Sequence, residues 1–186
     1  GNSIASGGNY NVTVGDEAGT AITTGDNNTA VGYAALTANT TGHSNVAVGA
    51  LALDANITGN ANTAAGYRAL LTNTTGYENT ASGTNSLKLN TTGIENSSFG
   101  SGALLSNTTG DYNTAVGRYA LYANTTADAN TSVGNGSLLD NTTGNNNVAL
   151  GKDSLANNTT AYSNVALGNQ SMITNTTGVN NTATGR

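Results

Sequence analysis

Residues 28–44 read NTAVGYAALTANTTGHS, and residues 45–61 read NVAVGALALDANITGNA. Asparagine returns at 11, 28, 45, 62, 79, 96, 113, 130, 147, 164 and 181, always 17 residues apart, with no insertion or deletion. With Asn28 as column 1 of the unit, column 5 is glycine in every copy from Gly15 to Gly185. Column 8 is Ala or Ser from Ala35 to Ser171, and column 9 is Leu from Leu36 to Leu155, then Met172. Column 12 is Asn from Asn39 to Asn175, column 14 is Thr from Thr41 to Thr177, and column 15 is Gly or Ala. The copy at 11–27 keeps Asn11 and Gly15 but carries Gly19 in place of the leucine. Polar, weakly charged chains are often disordered, yet disorder does not hold a register. The chain is an ordered repeat array.

A unit of 17 residues is too short for a helical hairpin, which needs roughly 33, and Asn, Thr and Gly are poor helix formers. It suits one coil of an all-β parallel β-solenoid, or β-roll, with coils stacked ~4.8 Å apart. The β-branched residues of columns 2 and 4, such as Thr29 and Val31, flank a small residue and predict a first strand. Columns 6–11, around the Ala/Ser–Leu pair, are expected to form a second strand, and the NTTG block to turn the chain back. Stacked asparagines at columns 1 and 12 predict side-chain amide ladders. Residues 1–186 therefore read as a single array: a partial coil 1–10, a divergent coil 11–27, nine regular coils 28–180 and a partial coil 181–186. Ten coils give a rod roughly 48 Å long. Neither end carries a polar capping repeat, so the chain reads as a window on a longer array or as a unit that stacks end to end.

The columns also predict which face is wet. Columns 6, 7, 10, 11, 16 and 17 hold all fifteen charged residues, all eight tyrosines and His43. These columns are expected to face solvent or at least to be permissive, and the remaining columns to be enclosed or turn-forming. The core is then thin, with one Leu, one Val-like residue and a few Ala per coil. Against it stands the ordering of 17 backbone residues at ~1–2 kcal/mol each. Oligomerisation is the natural remedy.

The segments Asn28–Gly32, Asn45–Gly49 and Asn147–Gly151 (NTAVG, NVAVG and NVALG) resemble the head repeats of trimeric autotransporter adhesins and of related bacterial and phage tail-fibre proteins. The resemblance spans residues 11–186. It implies a parallel β-roll wound left-handed and packed as a homotrimer. The present unit is longer than those repeats and adds an NTT turn. No catalytic residue is carried over from the resemblance.

Composition narrows the chemistry. Asn, Thr and Gly number 31, 32 and 25, while charged residues are 8% of the chain against roughly 25% in a typical domain. With no Cys and one His, Cys/His metal sites, disulfide frameworks and Cys nucleophiles are excluded. A net charge of −5 argues against a nucleic-acid partner. No apolar run approaches the ~20 residues of a membrane span, and no signal-peptide pattern opens the sequence. His43 sits in a column whose neighbours change from copy to copy, so it reads as a solvated surface residue and not a catalytic base. The pairs Asp16–Glu17 and Asp111 with Asp128 fall short of the 6–8 oxygen ligands of a calcium site. Gly134-Asn-Gly136 lacks the Lys and the helix of a phosphate loop. No catalytic, cofactor or metal site is expected.

The strongest chemical signal is column 12. Asn39, Asn56, Asn73, Asn90, Asn107, Asn124, Asn141, Asn158 and Asn175 each open an N-x-[ST] sequon, the acceptor pattern for N-glycosylation. The competing reading is turn chemistry, in which Asn bonds locally and Thr lines a ladder. Together these features lead us to expect a non-enzymatic structural or adhesive fibre, extracellular, at a cell surface or in a virion fibre. Its partners would be copies of itself and a host-surface glycan or protein. The alternative is a ligand-binding solenoid of the ice-binding kind, using the Thr ranks of columns 13 and 14. Adjacent strand residues point opposite ways, so those columns offer one narrow rank.

Overall fold

The structure is a computed structural model that describes residues 8–186. It contains eleven strands, β1 (Val12–Val14) to β11 (Thr182–Thr184), each three residues long and each at columns 2–4. They form one parallel sheet in sequential order, β1 beside β2 and so on to β11. Register never slips: Thr29 faces Val46, Ala47 faces Ala64, and each residue pairs with the one 17 further on. No helix occurs among the described residues. The chain is an all-β parallel solenoid of about ten 17-residue turns. Of the partial coil 1–10, only residues 8–10 lie among the described residues.

Among the described residues the second strand expected at columns 6–11 does not form, and turns stand there instead. In the coil at 45–61, Ala52 N–H donates to Gly49 C=O at 3.2 Å, and Asn56 N–H to Leu53 C=O at 3.2 Å, closing two successive four-residue turns. Columns 7 and 9 take positive φ, as at Leu51 (59°) and Leu53 (52°). The physical reason is burial. Columns 8 and 9 both point inward, with Ala52 and Leu53 each 0% exposed, whereas a strand sends consecutive side chains to opposite faces. Left-handed residues between the turns put two neighbouring side chains on one side. The segment still bonds to both flanking coils, with Leu51 N–H to Tyr33 C=O at 2.9 Å and Leu53 N–H to Ala69 C=O at 3.0 Å.

A second correction concerns the strands. Columns 2 and 4 were expected inside, but they form the outer face of the sheet. Val46, Val48, Phe99, Val116, Val133 and Leu150 all lie exposed. Column 3 alone points inward, and Ala30, Ala47, Ala64 and Ala81 are fully buried. The leucines of column 9 are buried from Leu36 to Leu155. They fill the narrow interior and leave room for only Ala or Ser on the strand, so pleating sends the larger β-branched residues outward. Core serines are satisfied: Ser137 donates to Ala149 C=O at 3.0 Å and Ser132 to Ser137 C=O at 2.8 Å.

Column 5 requires glycine on two counts. Gly83 has φ +133°, and a Cβ there would lie 2.7 Å from the carbonyl carbon and oxygen of Gly100 in the next coil. The divergent coil 11–27 compensates for its missing leucine, because Ile22, in the column-12 position, is fully buried and turns its Cδ1 toward Gly19.

Since each coil touches only its neighbours, damage should stay local. Leu87→Asp would bury an unpaired carboxylate in the leucine stack. Hydrogen exchange should accelerate in the coils around residue 87 and stay slow in those near residues 30 and 150. Equal loss of protection along the whole rod would contradict nearest-neighbour stability.

Candidate functional site

Column 12 lies inside the rod. Asn39 to Asn158 are fully buried, and Asn175 is half-buried at the last coil. Asn56 donates one amide hydrogen to Asn39 Oδ1 at 2.8 Å and the other to Gly59 C=O at 2.9 Å. The pattern continues through Asn73, Asn90, Asn107, Asn124, Asn141 and Asn158 to Asn175, with the partner carbonyl supplied by Gly or Ala three residues on. Column 1 makes a second ladder: Asn62 Nδ2 reaches Asn45 Oδ1 at 3.2 Å and Gly76 C=O at 2.8 Å, while its backbone N–H also donates to Asn45 Oδ1 at 3.0 Å. In the folded rod the sequon asparagines from Asn56 to Asn158 have both amide hydrogens engaged. Asn39 donates to Gly42 C=O alone, because Ile22 stands in the coil before it. None from Asn39 to Asn158 has exposed surface on which to carry a glycan. They act as the turn reading requires.

The Thr ranks are similarly placed. Column-13 hydroxyls donate to the next coil's backbone, as Thr91 does to Thr108 C=O at 2.9 Å and Thr108 to Thr125 C=O at 3.0 Å. They are engaged in holding coils together, which leaves column 14 as the only exposed rank of the two.

Replacing Asn107 by Asp tests the ladder. A carboxylate would face Asn90 Oδ1 and Gly110 C=O, both acceptors, and lose about 3 kcal/mol or more at neutral pH. Such a site raises the carboxyl pKa above its unfolded value of about 3.9. Stability of the variant should therefore recover as pH falls below neutrality, when the protonated acid can donate again. A midpoint of chemical denaturation that does not change between pH 7 and pH 4 would count against the bonding scheme.

The variable columns divide the charge. Columns 16 and 17 carry Asp26, Glu78, Glu95, Asp111 and Asp128 with no Lys or Arg, whereas columns 6, 7, 10 and 11 carry five acids and all five bases. The whole net charge of −5 thus lies along one edge. Part of that edge is itself a ladder: Asp111 N–H donates to Asp128 Oδ1 at 2.8 Å, and Ile94 N–H to Asp111 Oδ1 at 2.8 Å. Glu95 foremost, then slight desolvation and the Asp111 charge, raise the pKa of Tyr112 above its ordinary value. Glu95→Gln should bring the Tyr112 phenol back down, measured by NMR titration of its ring carbon. An unmoved titration would show that Glu95 is not the source of the field.

Among the recesses that interrupt the regular surface are two with tyrosine in their lining. The larger, about 350 Å³, is lined by His43, Asn60, Ala61, Tyr77 and Glu78 from three successive coils. The smaller, about 200 Å³, is lined by Tyr119, Tyr122 and Leu139. There the Tyr rings meet edge to face with centroids 5.3 Å apart, and the Arg118 guanidinium lies 4.4 Å from the Tyr119 centroid. Gly102, one coil earlier, leaves space beneath that ring, since a Cβ would come within 2.7 Å of it.

His43 is exposed, as a surface residue should be, but it helps line the larger recess. Reading each column separately misses the other members. The signal was available where bulky rings in column 16 (His43 and Tyr77) flank a short Asn60. Asp16 and Glu17 are exposed, and among the described residues no group of three His, Cys, Asp or Glu is placed to hold a metal ion. Gly134 and Gly136 adopt φ of +135° and +63°, the values of columns 5 and 7 elsewhere, so they belong to the repeat. No family model, curated protein or solved structure matches the chain.

Proposed function

We propose that the chain is a non-enzymatic, extracellular structural or adhesive rod that associates with copies of itself and offers its variable edges for attachment. The observation that carries this reading is the division of the surface. The outer sheet face, columns 2 and 4 of β1 to β11, contains 22 positions and no charged residue. Every charge and every tyrosine stands on other columns. A continuous uncharged face beside charged, variable edges suits burial of the first and display of the second.

The area involved indicates how association works. Eleven three-residue strands give a face of about 480 Å² from standard strand dimensions. A stable interface buries about 800 Å² per partner. The sheet face alone falls short, so flanking columns must contribute and binding must strengthen with each added coil. The resemblance to trimeric adhesin heads favours a parallel, left-handed homotrimer, and placement outside the cell rests on that resemblance as well.

Sedimentation at micromolar concentration tests the association. The chain should run as a trimer, and Val116→Lys with Val133→Lys should shift it to monomer with its circular dichroism unchanged. A well-folded monomer of the unaltered chain would overturn the oligomeric part. Attachment to glycan- or protein-coated surfaces tests the adhesive part, and a rod that holds to none of them would leave only a spacer.

A further inference from the structure

From the recess between His43 and Tyr77 we infer a discrete binding site for a single uncharged or amino-bearing sugar ring, formed by His43, Asn60, Ala61, Tyr77 and Glu78. The recess comes from departures within one edge. Column 16 places His43, Asn60 and Tyr77 on three consecutive coils, and two coil steps separate the outer pair by about 9.6 Å. Asn60 and Ala61 are short, so the rings of His43 and Tyr77 bound a hollow of about 350 Å³, within the usual size range of small-ligand sites.

The floor is rigid. Ala61 N–H donates to His43 C=O at 3.0 Å, Glu78 N–H to Asn60 C=O at 3.0 Å, and His43 N–H to Asn60 Oδ1 at 2.9 Å. These bonds engage the backbone and fix the Asn60 amide with its Nδ2 free. Among the described residues, the His43 ring, Asn60 Nδ2, the Tyr77 hydroxyl and the Glu78 carboxylate make no hydrogen bond to the protein. The hollow therefore combines two ring surfaces with donors and a carboxylate acceptor. A ligand that fits both must itself have an apolar face and a rim of hydroxyls, as a pyranose does. Stacking takes up its C–H face, and the carboxylate accepts from its hydroxyls in charge-assisted bonds.

Charge narrows the class. Glu78 lines the hollow, Glu95, Asp111 and Asp128 continue the same edge, and no Lys or Arg stands in columns 16 or 17. A sialylated, sulfated or phosphorylated sugar would meet like charge, whereas an amino sugar would gain from it. The aromatic recess at Tyr119 differs here because Arg118 stands beside it.

The site deepens the adhesive reading and depends on it only for its biological setting, so sugar binding and surface attachment are measured separately. Saturation-transfer NMR on the intact chain, with lactose, glucosamine and sialyllactose as probes, should show transfer to the first two and at least tenfold weaker binding of the third. Asn60→Tyr should fill the hollow, and Tyr77→Ala should remove a wall, each weakening binding at least tenfold. Tyrosine is native to column 16 at Tyr77 and Tyr162 and to column 17 at Tyr112, so Ala61→Tyr serves as a second filling variant should Asn60→Tyr disturb the fold. Absence of transfer with every probe, or transfer unchanged in both filling variants, would overturn the site and leave the rod reading untouched. Equal binding of sialyllactose would overturn the charge argument and the ligand class with it. A chain that binds lactose at this hollow yet attaches to no glycan-coated surface would support the site and overturn the adhesive reading.

Discussion

In seven of the coils a single backbone carbonyl ties the two amide ladders together. Gly59 C=O accepts an amide hydrogen from Asn45 at 2.8 Å and another from Asn56 at 2.9 Å. The two asparagines belong to different ladders, and each ladder passes a bond to the adjacent coil. The buried asparagines of columns 1 and 12 thereby find partners inside the rod, as a dry interior demands. The spacing follows from the same contact. An inserted residue between columns 1 and 15 would pull one ladder out of reach of the shared carbonyl and leave buried polar groups unpaired. A strict 17-residue period is what that geometry requires.

With polar ladders inside, the apolar core can be small. Leucine fills the centre, alanine lines the strand, and positive-φ residues at columns 7 and 9 turn consecutive side chains inward. Left-handed backbone in a residue with a Cβ costs about 1–2 kcal/mol. Bonds to both neighbouring coils and the buried leucine offset that cost, which explains why Leu rather than Gly can occupy column 9. Gly19, the one glycine there, is supported by Ile22.

This arrangement leaves the β-branched strand residues without a core to enter. They create an uncharged outer face, while all charge collects on the turns and edges. Self-association and display are consequences of the same inward demand. The edge of columns 16 and 17 carries Asp26, Glu78, Glu95, Asp111 and Asp128 with no Lys or Arg, and it is hollowed between His43 and Tyr77. A regular scaffold makes such a local departure easy to place, because the coil spacing sets the distance between its walls.

The periodicity of Asn28, Asn45 and Asn62 was sufficient to specify coil length, parallel stacking and the amide ladders, because only one register lets identical side chains bond along an axis. The leucine stack was legible for the same reason. What the sequence could not specify was direction. Thr29-Ala-Val31 reads as a strand whichever face is buried, since alternation gives two faces but does not say which is inside. The Leu side chains of the opposite wall decide that, by leaving room only for Ala30. Columns 6–11 likewise resemble a strand until the inward direction of both Ala52 and Leu53 forces turns and positive φ. The hollow at Asn60 and Ala61 also belongs to the tertiary structure: its walls are 34 residues apart in the chain, and only the stacking of coils brings His43 and Tyr77 to either side of it.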